Sequence, residues 1–165
     1  MKTAIIFYGP SGTGKTTLAK RITKKYNFKH CDSDIFRTIF SSKRSDDRSF
    51  IATEICYAYA RELIKKKYNV IIEALPSSKI INLKRLLKEK KYKIVEISLI
   101  SPLSQCLKNN RTRTDRCLSD KIIRYAYKKY SFKKGYIIDV ANLTENQVFN
   151  IIKDKIFNIK FKNNC

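Results

Sequence analysis

The chain has 165 residues, of which 43% are hydrophobic and 12% aromatic. It carries 36 Lys and Arg against 14 Asp and Glu, for a formal net charge of +22. That length suits one ordinary domain with one core. The composition argues against intrinsic disorder and, with no Pro/Gly/Ser-rich linker or solenoid period, against a repeat array. The charge admits two readings, A/T-rich codon bias, which favours lysine but does not explain why only six Glu are present, and a polyanionic partner such as nucleic acid.

The first element, "TAIIFY" (Thr3 to Tyr8), is an apolar β-branched run that reads as a strand buried on both faces. The start of the chain is too short an apolar run for a signal peptide. No later run approaches the ~18 residues of a membrane span, so a soluble, cytoplasmic protein without a membrane partner is expected. Five scattered cysteines (Cys31, Cys56, Cys106, Cys117, Cys165), with no C-x-x-C pair, read as reduced thiols with no disulfide partner.

Directly after this strand, Gly9-Pro10-Ser11-Gly12-Thr13-Gly14-Lys15-Thr16 matches G-x-x-x-x-G-K-[ST] at every fixed position, and "KTTLAKRITKKY" follows as a helix. Strand, glycine-rich turn and helix start form a phosphate-binding loop. The glycines let backbone N–H groups turn inward, and the helix N-terminus adds partial positive charge. Lys15 is expected to neutralise the β- and γ-phosphates of ATP, and the Thr16 hydroxyl to complete a Mg²⁺ shell, with Thr17 beside it.

"FKHCD" (Phe28 to Asp32) is a second, weaker strand that runs into "SDIFRTIF". Asp32 and Asp34 lie at its carboxyl end, and Arg37 follows one helical turn beyond Asp34 on the same side. A carboxylate there can orient an acceptor hydroxyl and take its proton, whereas Asp32 or Ser33 can equally well cap the helix. His30, the lone histidine, reads as a packing residue.

Ala52, Cys56, Tyr59 and Leu63 then recur at helical spacing in one long helix. "YNVIIEA" (Tyr68 to Ala74) is the next strand, and its Glu73 is a candidate carboxylate for Mg²⁺, with an exposed edge residue as the plainer alternative. Leu83, Leu86 and Leu87 mark a further helix before the strand "YKIVEISLI" (Tyr92 to Ile100).

Lys108 to Lys134 is the most basic stretch, with ten Lys/Arg and two Asp. Arg111, Arg113 and Arg116 fall within six residues, in a segment long enough for a small flap or lid at about 110–120 that brings guanidinium groups onto a transferring phosphoryl group. Tyr125, Tyr127 and Tyr130 suit helix packing or base stacking. "YIIDV" (Tyr136 to Val140) is the last strand, and "TENQ" (Thr144 to Gln147) fits a capping box for a final helix that buries Phe149, Ile152 and Ile156. Strands alternating with helices imply a three-layer α/β/α domain spanning residues 1–165 around a five-stranded parallel sheet, with ligands outside the strands' carboxyl ends.

The phosphate loop, the D-x-x-R of Asp34 and Arg37, the "VIIEA" strand, the "NNRTR" flap and "IIDVANLTENQV" together resemble the small P-loop kinases, AAA-type and adenylate-kinase-like, and among them the polynucleotide 5′-hydroxyl kinases. The resemblance implies a P-loop NTPase fold of the nucleoside-monophosphate-kinase kind with a short arginine-bearing lid. It implies ATP and Mg²⁺ as cofactors and a nucleic acid 5′ end as substrate. Residue by residue, it implies that Asp34 activates the acceptor hydroxyl, Arg37 contacts the acceptor strand's phosphate and Arg113 reaches the transferred phosphate, with Arg111 or Arg116 as a second arginine. It places Asp139 and Asn142 in the loop that brackets the adenine.

Polynucleotide kinases usually show an Asp, often followed by Thr-Asn, where this chain reads Glu73-Ala74-Leu75-Pro76. The Asp32/Asp34 pair also resembles shikimate kinases, in which one Asp orients Mg²⁺ and the other the acceptor, although their glycine-rich acceptor loop is absent here. A small-molecule or nucleoside monophosphate kinase is therefore the alternative reading, and a nucleic-acid-binding ATPase switch a third.

Overall fold

The computed structural model describes residues 1–40, 43, 45–113, 117–129 and 134–157. The elements in chain order are β1 (Thr3–Tyr8), α1 (Lys15–Tyr26), β2 (Lys29–Asp32), α2 (Ser33–Phe40), α3 (Asp46–Lys65), β3 (Val70–Glu73), α4 (Ser77–Glu89), β4 (Lys93–Ile100), α5 (Leu103–Arg111), α6 (Asp120–Lys129), β5 (Tyr136–Asp139) and α7 (Glu145–Phe157). The five strands form one parallel sheet in the order β2-β3-β1-β4-β5. All five strands expected from the sequence are present, with ends shifted by up to two residues. Contacts along the chain gather it into two compact units, Met1–Phe7 with Ala19–Ile94, and Tyr8–Leu18 with Val95–Cys165.

In the first unit, the apolar runs of β1 and β3 are buried on both faces, with Ile5 paired to Ile71 and Ile6 to Ile72, all fully buried. Ala52, Cys56, Ala60 and Ile64 from α3 and Leu83 and Leu87 from α4 complete that core, each large aliphatic contributing about 1.5–3 kcal/mol on burial. Ser45 caps α3 by accepting from the Arg48 N–H, and Asp46, Asp47 and Lys65 complement the helix dipole. Tyr59, expected in the core, is 39% exposed instead, with its ring edge-on to Phe36 at 5.9 Å.

Both α3 and α4 end in the same way. The Tyr68 N–H donates to Leu63 O at 3.0 Å and the Lys67 N–H to Ile64 O at 3.0 Å; Tyr92 and Lys91 repeat the pattern onto Leu87 O and Lys88 O at 2.9 Å. These Schellman turns require a left-handed residue, and lysines occupy that position, Lys67 at φ 59° and Lys91 at φ 58°.

In the second unit, β4 and β5 pair from Ile97↔Tyr136 to Ile100↔Asp139. Gly135 turns into β5 at φ 65°, where a Cβ would lie 2.1 Å from Glu96 O, so glycine is required there. Cys106, Leu107 and Ile123 form a small core between α5 and α6, joined by Leu103, Leu118 and Tyr127. The expected capping box opens α7, with Thr144 N–H donating to Gln147 Oε1 at 2.8 Å and Gln147 N–H to Thr144 Oγ1 at 3.3 Å. Phe149, Ile152 and Ile156 are buried as the spacing predicts. Cys31, Cys56, Cys106 and Cys117 are free thiols. Among the described residues, no helix is long and apolar enough to cross a membrane.

Candidate active site

The loop Gly9–Thr16 belongs to the second unit. Gly9, Gly12 and Gly14 take φ values of 142°, 93° and 85°, which side-chain-bearing residues rarely adopt. A Cβ on Gly9 would lie 2.4 Å from Leu99 O, and one on Gly12 would lie 2.5 Å from Cys106 O. These two glycines let the loop close against β4 and α5. A Cβ on Gly14 would meet nothing within 4 Å, so this glycine faces open space, as a loop that cradles a phosphate must.

Lys15 Nζ donates to Gly9 O and Pro10 O, each at 2.8 Å, which holds the ammonium across the loop. Thr13 Oγ1 donates to Pro10 O at 3.0 Å and tightens the turn. Thr13 and Gly12 are buried, Ser11, Gly14, Lys15 and Thr16 half-buried and Thr17 exposed. The donor set and the open face at Gly14 fit a nucleotide triphosphate.

Asn109 of α5 donates from Nδ2 to Gly12 O at 2.8 Å, tying the loop to that helix. Asn110, fully buried, accepts from the Leu118 N–H at 3.0 Å and donates to Leu118 O at 2.7 Å, joining the two sides of the expected lid. Arg111 pairs with Asp120 at 2.5 Å and is largely exposed, so its guanidinium links the end of α5 to the start of α6. Arg113 is half-buried just past α5, its N–H bonded to Asn110 O at 3.2 Å. Arg116 lies outside the described residues, as does Tyr130. Tyr127 donates to Ser101 O at 3.0 Å, which is helix packing, and Tyr125 is exposed. Asp139 accepts from the Ala141 N–H at 3.0 Å, and Asn142 is exposed in the turn that follows.

The first unit contains Asp32, Asp34 and Glu73. The parallel register pairs Asp32 with Glu73 at the carboxyl ends of β2 and β3, and both are about 1% exposed. Glu73 is thus no exposed edge residue. His30 Nε2 meets Glu73 Oε1 at 2.6 Å, and one ligand atom from each of His30, Asp32 and Glu73 lies within 4.8 Å of the others. Burial, then the neighbouring Glu73 and Asp34 carboxylates, push the Asp32 carboxyl up to about 6. These two buried carboxylates side by side, one of them bonded to His30, offer hard oxygen donors of the kind that fit Mg²⁺.

Asp32 also caps α2 by accepting from the Asp34 N–H at 2.9 Å. Ser33 Oγ instead crosses to Ala74 O at 2.7 Å, where the chain leaves β3 with Ala74 at φ 59°. Asp34 and Arg37 form an ion pair one helical turn apart, both partly exposed. Arg48 from α3 supports this turn by donating from Nε to Arg37 O at 2.7 Å.

Sequence reasoning reads His30 as a packing residue and gives Asn109 and Asn110 no individual role. His30 meets its partner across the β2–β3 register and Asn109 far back in sequence, while Asn110 bonds to Leu118 eight residues on.

Among solved structures, the chain is similar to a putative kinase from Chloroflexus aurantiacus J-10-fl, with a TM-score of 0.70 and 14% identity over 94% of this chain and 96% of that one. It is similar to the Mycobacterium tuberculosis APS kinase CysC, solved with AMPPNP and APS, with a TM-score of 0.66 and 14% identity over 94% and 97%. It is also similar to a chain of the Pnkp1/Rnl/Hen1 RNA repair complex, with a TM-score of 0.64 and 22% identity over 77% of this chain and 43% of that one. At these identities the likeness is one of fold, an α/β P-loop fold found in kinases. No curated protein matches the sequence. The family model described as an AAA domain matches residues 5–120, well over half of the chain, and the chain belongs to that family.

Proposed function

We propose that the chain is an ATP-dependent phosphotransferase whose acceptor is the 5′-hydroxyl of a polynucleotide. The observation that carries the phosphoryl-transfer part is the loop itself, whose three positive-φ glycines leave its inner side open at Gly14 while Lys15 Nζ bridges the Gly9 and Pro10 carbonyls. In the reaction, the acceptor oxygen bonds to the γ-phosphorus as the bond to the β–γ bridging oxygen breaks and ADP leaves. The Asp34 carboxylate takes the hydroxyl proton. Arg37, paired with Asp34, fixes that carboxylate's orientation and offers its guanidinium to an acceptor phosphate.

Arg113 supplies positive charge to the transferring group. Asp32 and Glu73 would offer carboxylate oxygens to magnesium, as Thr16 would its hydroxyl, and magnesium would supply charge neutralisation on the phosphates. Asn142 and Arg111 are the residues we assign to the nucleotide's base and phosphate surroundings.

The polynucleotide acceptor rests on the net charge of +22, the Asp34/Arg37 pair and the likeness to a chain of an RNA repair complex. A second reading, a small-molecule kinase, is favoured by the fuller coverage of the APS kinase chain. Labelled γ-phosphate offered with 5′-hydroxyl DNA, 5′-hydroxyl RNA, nucleoside monophosphates and small polyols separates the two. Label on the oligonucleotides supports the first, and label confined to a small acceptor supports the second. ATP hydrolysis with no acceptor labelled would make the chain an ATPase.

A further inference from the structure

We propose that the first unit carries a second polyanion site, at the amino ends of its strands, that binds the backbone of a single-stranded nucleic acid. Three helix-to-strand connections meet this end of the sheet, and each has lysine beside an aromatic residue: Lys24-Lys25-Tyr26 in the last turn of α1, Lys65-Lys66-Lys67-Tyr68 at the end of α3 and Lys90-Lys91-Tyr92 after α4. A cleft of about 700 Å³ lies here, lined by Met1, Lys2, Lys67, Asn69, Lys90 and Lys91, with no acid among them. Asn69 keeps the floor in order, since its Oδ1 accepts from the Thr3 N–H at 2.9 Å and its backbone O from the Lys29 N–H at 2.8 Å.

Backbone conformation supplies a second, independent observation. Lys67 and Lys91 occupy left-handed positions where glycine or asparagine is the ordinary residue, and the matching position after α1 is indeed Asn27, at φ 53°. Asparagine codons are as A/T-rich as those of lysine, so codon bias does not by itself choose lysine over the sterically preferred asparagine. Lysine at two of them, both lining the same cleft, points to a use for the charge.

The tyrosines give the site its ligand class. Lys29 Nζ lies 5.7 Å from the Tyr68 ring and Lys67 Nζ 5.8 Å from the ring of Tyr92, which is itself buried, so Tyr68 offers the exposed ring beside these ammonium groups. Tyr68 is 43% exposed and can stack on a base. Lysines tracking phosphates beside sequence-tolerant aromatic faces are the pattern of single-strand binding. The exposed Tyr68 ring beside the lysines favours a base-bearing strand over a bilayer surface. The inference does not depend on which acceptor the catalytic end uses.

The test uses the full chain and a circular single-stranded oligonucleotide, which offers no 5′ end to a kinase site. In Lys67→Gly/Lys91→Gly the backbone takes its preferred residue, so the variant folds at least as well as the parent. We expect its affinity for the circle to fall about tenfold near 0.1 M salt, and the slope of log K against log salt to flatten by about 1.4, some 0.7 for each lysine lost. Unchanged affinity and slope in the folded variant would overturn the proposal. So would tighter, lysine-dependent capture by phosphatidylserine vesicles than by the circle, which would make the surface a lipid site instead.

Discussion

The two ends of the strands in the first unit differ in charge and in how the chain manages it. At the carboxyl ends, Asp32 and Glu73 are buried side by side, with His30 bonded to Glu73 and Asp34 bonded to Arg37. At the amino ends, Lys2, Lys67, Lys90 and Lys91 surround an open cleft with no acid in its lining. Buried charges are costly unless paired or metal-bound, so the carboxyl end is a place of fixed geometry suited to chemistry. Solvated lysines keep their hydration and act at a distance through the field they sum to, so the amino end is suited to attraction and retention. A net charge of +22 conceals this division.

The largest expected effect that would break the comparison is at Asp34. Asp34→Asn should lower the turnover number by about 10²–10⁴-fold while leaving ATP affinity within a factor of a few, read by steady-state kinetics and nucleotide titration. An unchanged turnover would remove Asp34 from the chemistry and leave the carboxyl end a structural ion-pair cluster.

Asp32 tests the cost of burying the acids. Its folded-state pKa of about 6 stands above the unfolded value of about 4, so the folded chain binds the proton more tightly. Stability in magnesium-free buffer should therefore fall as pH rises from about 4 to about 6 and level off above, by roughly 2–3 kcal/mol from this group. Asp32→Asn keeps the cap on the Asp34 N–H and should flatten that slope in urea melts. A slope that survives the substitution would assign it to other groups.

His30→Gln should reduce activity about tenfold by releasing Glu73, with the loss reduced at high magnesium concentration. A loss that magnesium does not alter would mean that His30 serves only the packing of β2. The smallest effect belongs to the amino end: Lys67→Gly alone should raise stability by roughly 0.5 kcal/mol, since relief of the left-handed strain outweighs the entropy of glycine. Destabilisation by that change would show that the lysine stem packs rather than serving the cleft.

The sequence made the local features legible. Buried parallel strands announce themselves as apolar β-branched runs, and the loop glycines, the Asp34/Arg37 spacing and the Thr144/Gln147 capping box are encoded within a few residues of one another. What stayed hidden depends on register or on distant partners. His30 becomes interpretable only once β2 pairs with β3 and sets it against Glu73, and Asn109 reaches 97 positions back to Gly12. Arg111 reads as a flap residue by composition, and its pairing with Asp120, nine positions on, becomes visible only in the structure. The repeated lysine and tyrosine turns are visible in the chain, but only the backbone angles at Lys67 and Lys91 separate them from ordinary solvated lysines.

The central claim is phosphoryl transfer to a polynucleotide end, and it is tested most directly by incubating the protein with γ-labelled ATP, magnesium and a 5′-hydroxyl oligonucleotide, with Lys15→Ala run in parallel. The account predicts label at the 5′ end from the parent protein and none from the variant. Label that fails to appear on any oligonucleotide, while a small hydroxyl acceptor becomes labelled at the same enzyme concentration, would contradict it.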